Sequence, residues 1–290
     1  MDSKFKDKVV AITGAGKGLG RAYALHFAGL GARVVVNNRI HAGESESSAD
    51  RVVAEIIDAG GNAVAEYSDV ENPEAGEILL ATALEHFGRL DCLVANAGIV
   101  ENRTFRKLDL AQFRQVVEIN LMGTVNVVHP AFCYMCEQQG GSIVVSTSSA
   151  GLFGQLGLPA YSASKAALIG LMQSLSLEGQ SKNVCVNAIA PYATTNMTAG
   201  HLPESISARL DPALVAPVIA HLASGSVSGQ VLISGGGRAS KAGQRTTQTL
   251  PGADAGSTDW QLLDSMPLDQ GFKDAGKNFA AFLTDINQDS

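Results

Sequence analysis

Short runs of β-branched and small apolar residues alternate with stretches of helical periodicity, and this alternation constrains the fold more than any other feature of the chain. Val9 to Thr13, Ala32 to Asn37, Ala63 to Tyr67, Cys92 to Asn96, Ser142 to Ser146, Val184 to Ile189 and Gln230 to Ile233 read as seven strands. The second is centred on Val34-Val35-Val36. Unbroken apolar runs suit strands buried on both faces. Helical patterns fall between them: Gly18 to Leu30, Ala49 to Ala59, Pro73 to Phe87, Leu110 to Gln138 with an expected bend at Pro130, Tyr161 to Gln180, and Pro212 to Ala223. Strand and helix in alternation predict an α/β, doubly wound, seven-stranded parallel sheet, forming a single domain over residues 1–237. The stretch 238–290 is polar and Gly-rich to about Ser257, then carries two weak helical patterns, Trp260 to Asp264 and Gly271 to Ile286. It reads as a partly helical C-terminal extension.

Of the 290 residues, 46% are hydrophobic and 17% charged, which suits a packed globule and excludes wholesale disorder. Asp and Glu number 28 against 21 Lys and Arg, so no basic face for nucleic acid is expected. No uninterrupted apolar run approaches the ~20 residues of a membrane span. The segment Met1 to Asp7 lacks a signal-peptide core, and Gln288-Asp289-Ser290 is not a retention or peroxisomal tripeptide. A cytoplasmic location and reduced thiols at Cys92, Cys133, Cys136 and Cys185 are therefore expected.

Thr13-Gly14-Ala15-Gly16-Lys17-Gly18-Leu19-Gly20 joins the first strand to its helix. Gly14, Gly18 and Gly20 let backbone approach a pyrophosphate, which the helix N-terminus attracts; Lys17 and Leu19 lie on the same loop. Taken alone, the loop is also compatible with a bare strand–helix turn. NAD-binding folds usually end the second strand on a carboxylate that meets the ribose 2′-OH. Here the residues are Asn37-Asn38-Arg39. Arg39 can pair bidentately with a 2′-phosphate, Lys17 adds a second charge, and NADP(H) is expected over NAD(H). Asn96-Ala97-Gly98 ends the fourth strand beside the cofactor. Asp69-Val70 ends the third, where Asp69 either meets the adenine amino group or caps the following helix.

Tyr161 and Lys165 stand at i and i+4, on one helix face. A phenol titrates near ~10 and is a poor base at neutrality; a neighbouring ammonium would lower that value. Ser148, thirteen residues upstream, can hold a carbonyl or carbinol oxygen. In this order and context the chain resembles the short-chain dehydrogenase/reductase family, which has a Rossmann fold, over nearly all of Asp7 to Gly237. The motifs are Thr13-Gly14-x-x-x-Gly18-x-Gly20, Asn96-Ala97-Gly98, Asn120, Ser148 and Tyr161-x-x-x-Lys165. The resemblance implies Tyr161 as general acid/base, Lys165 as its pKa modulator and ribose ligand, Ser148 as holder of the substrate oxygen, and Asn120 as support for a proton-relay water. It also implies a homodimer or homotetramer through the helices carrying Asn120 and Tyr161.

One segment departs from the family. Pro191-Tyr192-Ala193-Thr194-Thr195-Asn196-Met197 has Tyr192 where Gly is usual, and looks one residue short. Pro191 and Thr195 are expected at the nicotinamide, with Thr194 as the alternative. That segment, Leu214-Val215-Ala216-Pro217-Val218 and Ser234-Gly235-Gly236-Gly237 are similar to the (3R)-hydroxyacyl-CoA dehydrogenase part of peroxisomal multifunctional enzymes, some relatives of which act on hydroxysteroids. Phe153 and Leu156, with Tyr192 and Met197, are expected to wall the substrate pocket, beside Ser148 and Tyr161. Arg103, Arg106 and Lys107 either hold a CoA phosphate or are ordinary solvated charges. Cys133-x-x-Cys136, a turn after His129, is read as helix packing, and no metal site is expected. The expected activity is interconversion of a ketone and a secondary alcohol with a bulky apolar substrate such as 3-oxoacyl-CoA; a hydroxysteroid or other bulky ketone is the alternative. A non-catalytic NADP(H)-binding sensor is the alternative of another class, which the four catalytic-type residues argue against.

Overall fold

A computed structural model describes residues 4–40, 43, 47–195, 203–247, 265–278 and 281. Its centre is a sheet of β1 (Val9–Ile12), β2 (Arg33–Asn37), β3 (Asn62–Glu66), β4 (Cys92–Ala95), β5 (Gly141–Ser146), β6 (Val184–Pro191), β7 (Val231–Gly235) and β8 (Arg238–Ala242). The spatial order is β3-β2-β1-β4-β5-β6-β7-β8. From β3 to β7 every pairing is parallel, with Val9 opposite Arg33 and Val10 opposite Cys92. Val9, Val34, Leu93 and Val144 have no solvent exposure, as strands covered on both faces require.

The helices are α1 (Gly18–Gly29), α2 (Ser48–Asp58), α3 (Ala75–Phe87), α4 (Leu110–Val117), α5 (Gly123–Glu137), α6 (Ser149–Phe153), α7 (Pro159–Glu178), α8 (Glu204–Ser207) and α9 (Ala216–Ala223). Local chemistry sets several ends. Ser47 Oγ accepts the Ala49 N–H at 3.1 Å, and Asp109 Oδ1 accepts that of Ala111 at 2.9 Å. Tyr23 and Phe27 of α1 pack with Val34, Val52 and Ile219 on one face of the sheet. On the other, α3 lies against α5, and α4 against α7.

The structure corrects the expectation in two places. The sheet has eight strands, not seven. The eighth, Arg238–Ala242, lies in the stretch assigned to the extension, and its exposed Arg-Ala-Ser-Lys-Ala sequence has no apolar signal. Gly236 and Gly237, with φ of 57° and 71°, close a two-residue turn after β7, which brings an antiparallel edge strand beside it. Second, the long helix is interrupted by a π-helical turn at Glu118–Met122, while α5 runs through Pro130. By length and composition alone Leu110–Glu137 also passes for a helix able to cross a bilayer. Arg114, Glu118 and Asn120 break its apolar run in the sequence, and it packs on α3 and α7 as a covering helix of the sheet.

Two compact units divide the chain, Met1–Lys241 and Ala242–Ser290. Within the second, Thr246 and Gln270 form an antiparallel bridge, Arg245 Nη1 donates to Asp269 O at 2.9 Å, and Asp274 Oδ1 caps a helical turn over 275–278. The expected helix Trp260 to Asp264 lies outside the described residues.

Candidate active site

The order reverses between β1 and β4, and the loops leaving their carboxyl ends border a cavity of about 350 Å³. Gly14 and Gly18 take φ of 64° and 54°, a region unfavourable to residues with a Cβ. A Cβ on Gly14 would stand 3.0 Å from Ala97 Cα, and one on Gly20 would strike the Gly14 carbonyl. Thr13 Oγ1 accepts the N–H groups of Asn96 and Ala97 at 3.0 and 3.1 Å, tying the β4 turn to the glycine loop. Helix α1 opens on Lys17 with no side-chain cap and no acid in its first turn. A helix start without a side-chain cap or an acid in its first turn, and a cradle that a Cβ would fill, fit the pyrophosphate of a nicotinamide nucleotide.

At one end of the cavity, Asn38 Nδ2 donates to Ser48 Oγ at 2.9 Å. Arg39 Nη1 donates to Asp69 Oδ2 at 2.9 Å. The sequence shows no carboxylate at the end of β2, but the fold brings one from the end of β3. Glu66 and Ser68 are not among the residues the sequence points to, and Asn37 is there only as part of the end of β2. Asn37 Nδ2 donates to the buried Glu66 carboxylate at 2.6 Å and to Ser68 O at 3.0 Å, and Asn37 and Ser68 both line the cavity. The signal available was Asn37, a polar residue closing a run of valines. Val70 completes this wall.

At the other end, Asn120 is fully buried in the π-helical turn. Its Oδ1 accepts the Ile99 N–H at 2.8 Å, and its Nδ2 donates to Ile99 O at 2.9 Å and Ser164 Oγ at 3.1 Å. Ser164 Oγ in turn donates to Tyr161 O at 2.8 Å, joining this turn to α7. Lys165 is buried and its Nζ donates to Ser146 O at 2.7 Å. That Nζ lies 5.8 Å from the Tyr161 ring centroid. Ser148 heads α6, its Oγ accepting the Ala150 N–H at 3.1 Å, and its hydroxyl is close enough to Tyr161 to influence the phenol's titration.

Burial raises Tyr161 above the ordinary phenol value, and only the Ser148 hydrogen bond works the other way. The sequence reading expected a lowering by Lys165. Here burial raises the phenol instead, and the Lys165 ammonium donates to Ser146 O. Burial also brings Lys165 from 10.5 down to about 8.

The remaining expected residues fall in two groups. Gly98, Pro191 and Thr195 line the cavity, together with Ile99, Ile119, Ser146 and Thr147. A Cβ on Gly18 would approach Thr195 Cγ2 at 3.2 Å, whereas Thr194 Oγ1 donates to Ser207 O at 2.9 Å. Ser148, Phe153, Leu156 and Tyr192 are not among the cavity-lining residues. Phe153 and Leu156 are 74% and 92% exposed. Tyr192 packs on Gly235, where a Cβ would stand 2.6 Å from Tyr192 Cβ, so the departure from the family's Gly is accommodated by a glycine across the sheet. Met197 lies outside the described residues. Arg103 pairs with Glu101 at 3.0 Å. Cys133 Sγ is 3.9 Å from His129 Nε2, and no cluster of three or more metal-ligand side chains occurs among the described residues.

The family model for short chain dehydrogenases matches residues 8–205. The chain belongs to that family. It is an oxidoreductase, and the family binds nicotinamide cofactors. A short-chain type dehydrogenase/reductase of Mycobacterium tuberculosis is 42% identical over 239 residues, covering 80% of this chain and 84% of the relative. The peroxisomal hydratase-dehydrogenase-epimerase of Saccharomyces cerevisiae is 44% identical over 222 residues, covering 75% of this chain. The chain spans only 24% of that protein and 30% of the mouse peroxisomal multifunctional enzyme type 2. Among solved structures, a short chain dehydrogenase from Mycobacterium avium superimposes with a TM-score of 0.79 at 35% identity, over 92% of this chain and 99% of that one. Full-length peroxisomal multifunctional enzyme type 2 from Drosophila melanogaster gives 0.81 at 32% identity, over 98% and 50%.

Proposed function

We propose that this dehydrogenase interconverts a ketone and a secondary alcohol using NADP(H), with a bulky apolar substrate of the 3-oxoacyl-CoA/3-hydroxyacyl-CoA type. The observation that carries the reaction is that Tyr161 and the buried Lys165, one helical turn apart on α7, both line the cavity bordered by the glycine loop. The bound nicotinamide supplies the hydride in reduction and accepts it in oxidation. In reduction Tyr161 gives its proton to the carbonyl oxygen while Ser148 donates a hydrogen bond to the same atom. Tyr161, raised by burial, is a phenol at neutral pH, the protonated form that reduction consumes. Lys165 and Asn120 hold the Tyr161 helix and the β4 turn in register.

Arg39 and Lys17 at the cavity wall support NADP(H). The Arg39–Asp69 pair does not oppose it: both side chains are more than a third exposed, such pairs are worth ~0–1 kcal/mol, and a phosphate offers the guanidinium a stronger partner. Acyl thioesters are supported by relatives named as hydratase-dehydrogenase-epimerases and by a 3-oxoacyl-[acyl-carrier-protein] reductase of Synechocystis, 39% identical over 192 residues. A second reading, a cyclic alcohol, draws on the cis-4-hydroxycyclohexanecarboxylate dehydrogenase of Sinomonas cyclohexanicum, 36% identical over 252 residues. Exposed Leu110, Met122 and Leu177 on the helices flanking Asn120 and Tyr161 support assembly of two or four copies there. The unpaired cysteines support a cytoplasmic, reducing compartment.

The test is NADPH oxidation with a 3-oxoacyl-CoA, a cyclic ketone and an open-chain ketone, for the parent and Tyr161→Phe. Tyr161→Phe is expected to abolish turnover and leave NADPH binding intact. Turnover within about tenfold of the parent refutes the acid/base role, and tight NADPH binding with no substrate turned over favours a sensor.

A further inference from the structure

We infer that Asp69 is the internal counter-ion that tunes nucleotide preference: its carboxylate holds Arg39 when the nucleotide carries no 2′-phosphate and is displaced from Arg39 when it does. This rests on the proposed role of Arg39. Strands β2 and β3 pair in parallel with Asn37 opposite Glu66, so the residues leaving them emerge side by side. Arg39 Nη1 and Asp69 Oδ2 thereby meet at 2.9 Å on the wall of one cavity. The two ends of the pair are not equally mobile. Asp69 Oδ1 accepts the Glu71 N–H at 3.2 Å, and its carbonyl accepts the Asn72 N–H at 2.9 Å, so the carboxylate is fixed in a turn. Arg39 is the long, 46% exposed arm that can exchange partners.

The consequence follows from the arithmetic of exchange. A dinucleotide without the phosphate leaves the Arg39–Asp69 pair intact, so no guanidinium is stranded. A 2′-phosphate must first take Arg39 from Asp69. Asp69 therefore compresses the discrimination that Arg39 provides, and the site accepts both nucleotides. Such pairs are worth ~0.2–1 kcal/mol, which sets a modest, measurable effect.

A double-mutant cycle on the full chain tests this, with dissociation constants for NADPH and NADH measured for the parent, Asp69→Asn, Arg39→Gln and the double variant. Asn keeps the side-chain acceptor of the turn and removes only the charge. Asp69→Asn is expected to tighten NADPH by about 1.5- to 5-fold and leave NADH nearly unchanged, and the effect should vanish in the Arg39→Gln background. Equal weakening of both nucleotides would mean that Asp69 reads the adenine, and overturns the inference. So does an equal tightening of NADPH with and without Arg39, which would mean that Asp69 acts on the phosphate directly. If Arg39→Gln lowers the NADPH preference while Asp69→Asn leaves it unmoved, this inference fails and the NADP(H) reading stands. If Arg39→Gln leaves the preference unchanged, the NADP(H) reading fails first and takes this one with it.

Discussion

Gly98 packs against Asn120 at the catalytic end of the candidate site. A Cβ on Gly98 would lie 2.9 Å from Asn120 Oδ1 and 3.4 Å from Lys165 Nζ. Neither neighbour can move aside freely. The Asn120 amide is held by Ile99 at 2.8 and 2.9 Å and by Ser164 at 3.1 Å, and Lys165 Nζ by Ser146 O at 2.7 Å. Gly98→Ala must therefore weaken one or two of these bonds, each worth ~0.5–1.5 kcal/mol net. Ala also restricts the unfolded chain, which offsets ~0.4–1 kcal/mol. The balance centres on a loss of about 1 kcal/mol, with an upper bound of about 2.5, or a fall in Tm of roughly 2–4 °C at the centre for a chain of this size. The internal control is Gly29→Ala at the end of α1, where an added Cβ meets nothing within 4 Å; there the same change should raise stability, by about 0.5 kcal/mol. Thermal melts of the parent and both variants, with steady-state kinetics, decide the matter. Gly98→Ala should also lower kcat by about tenfold or more, since it moves the residues that hold Tyr161 and Lys165 in register. Equal rises in Tm for the two variants, with kcat unchanged for Gly98→Ala, would refute the packing argument.

Two further expectations concern titration. Lys165 falls from 10.5 to about 8 on burial, so between those values the unfolded chain binds more protons than the folded one and this group's contribution to stability rises with pH. The rise totals roughly 3 kcal/mol; in Lys165→Met it should be missing from urea midpoints compared at pH 7 and pH 10, and an identical pH slope in parent and variant would contradict the burial effect. Asp91 behaves oppositely. Burial pushes its carboxyl up, but the Val9 N–H, Arg89 and Lys8 together hold it below the ordinary value. Its contribution is present above the unfolded carboxylate value of ~3.9 and is lost as pH falls through the lower folded value. Asp91→Asn should thus cost about 1–3 kcal/mol at pH 7, a gap that closes in acid; a gap independent of pH would remove the ion-pair explanation.

What the sequence disclosed and what it hid divide along the distance over which each feature is encoded. The glycine loop is local: Gly14, Gly18 and Gly20 lie within seven residues, and the backbone they require is written in their missing side chains. Tyr161 and Lys165 share a helix face by spacing alone, and the β-branched runs fix which strands are covered on both sides. Features built from two distant segments left no such trace. Asp69 meets Arg39 across 30 residues, so the carboxylate absent from the end of β2 is restored by the neighbouring strand. The eighth strand is an exposed Arg-Ala-Ser-Lys-Ala edge that needs no apolar face, and its one clue was the Gly236-Gly237 pair that turns the chain back. The π-helical turn at Asn120 conserves helical periodicity on both sides while adding a residue, so pattern reading passes over it. The titration of Tyr161 was misjudged for a related reason. Sequence spacing places an ammonium near a phenol, but only the packed structure shows that ammonium turned to Ser146 O and the phenol buried beside Ser148. A charge four residues away on a helix is a neighbour by geometry; whether it governs a pKa depends on which acceptor it has already been given. In this site that acceptor is a backbone carbonyl at the end of β5, and burial is what raises the phenol.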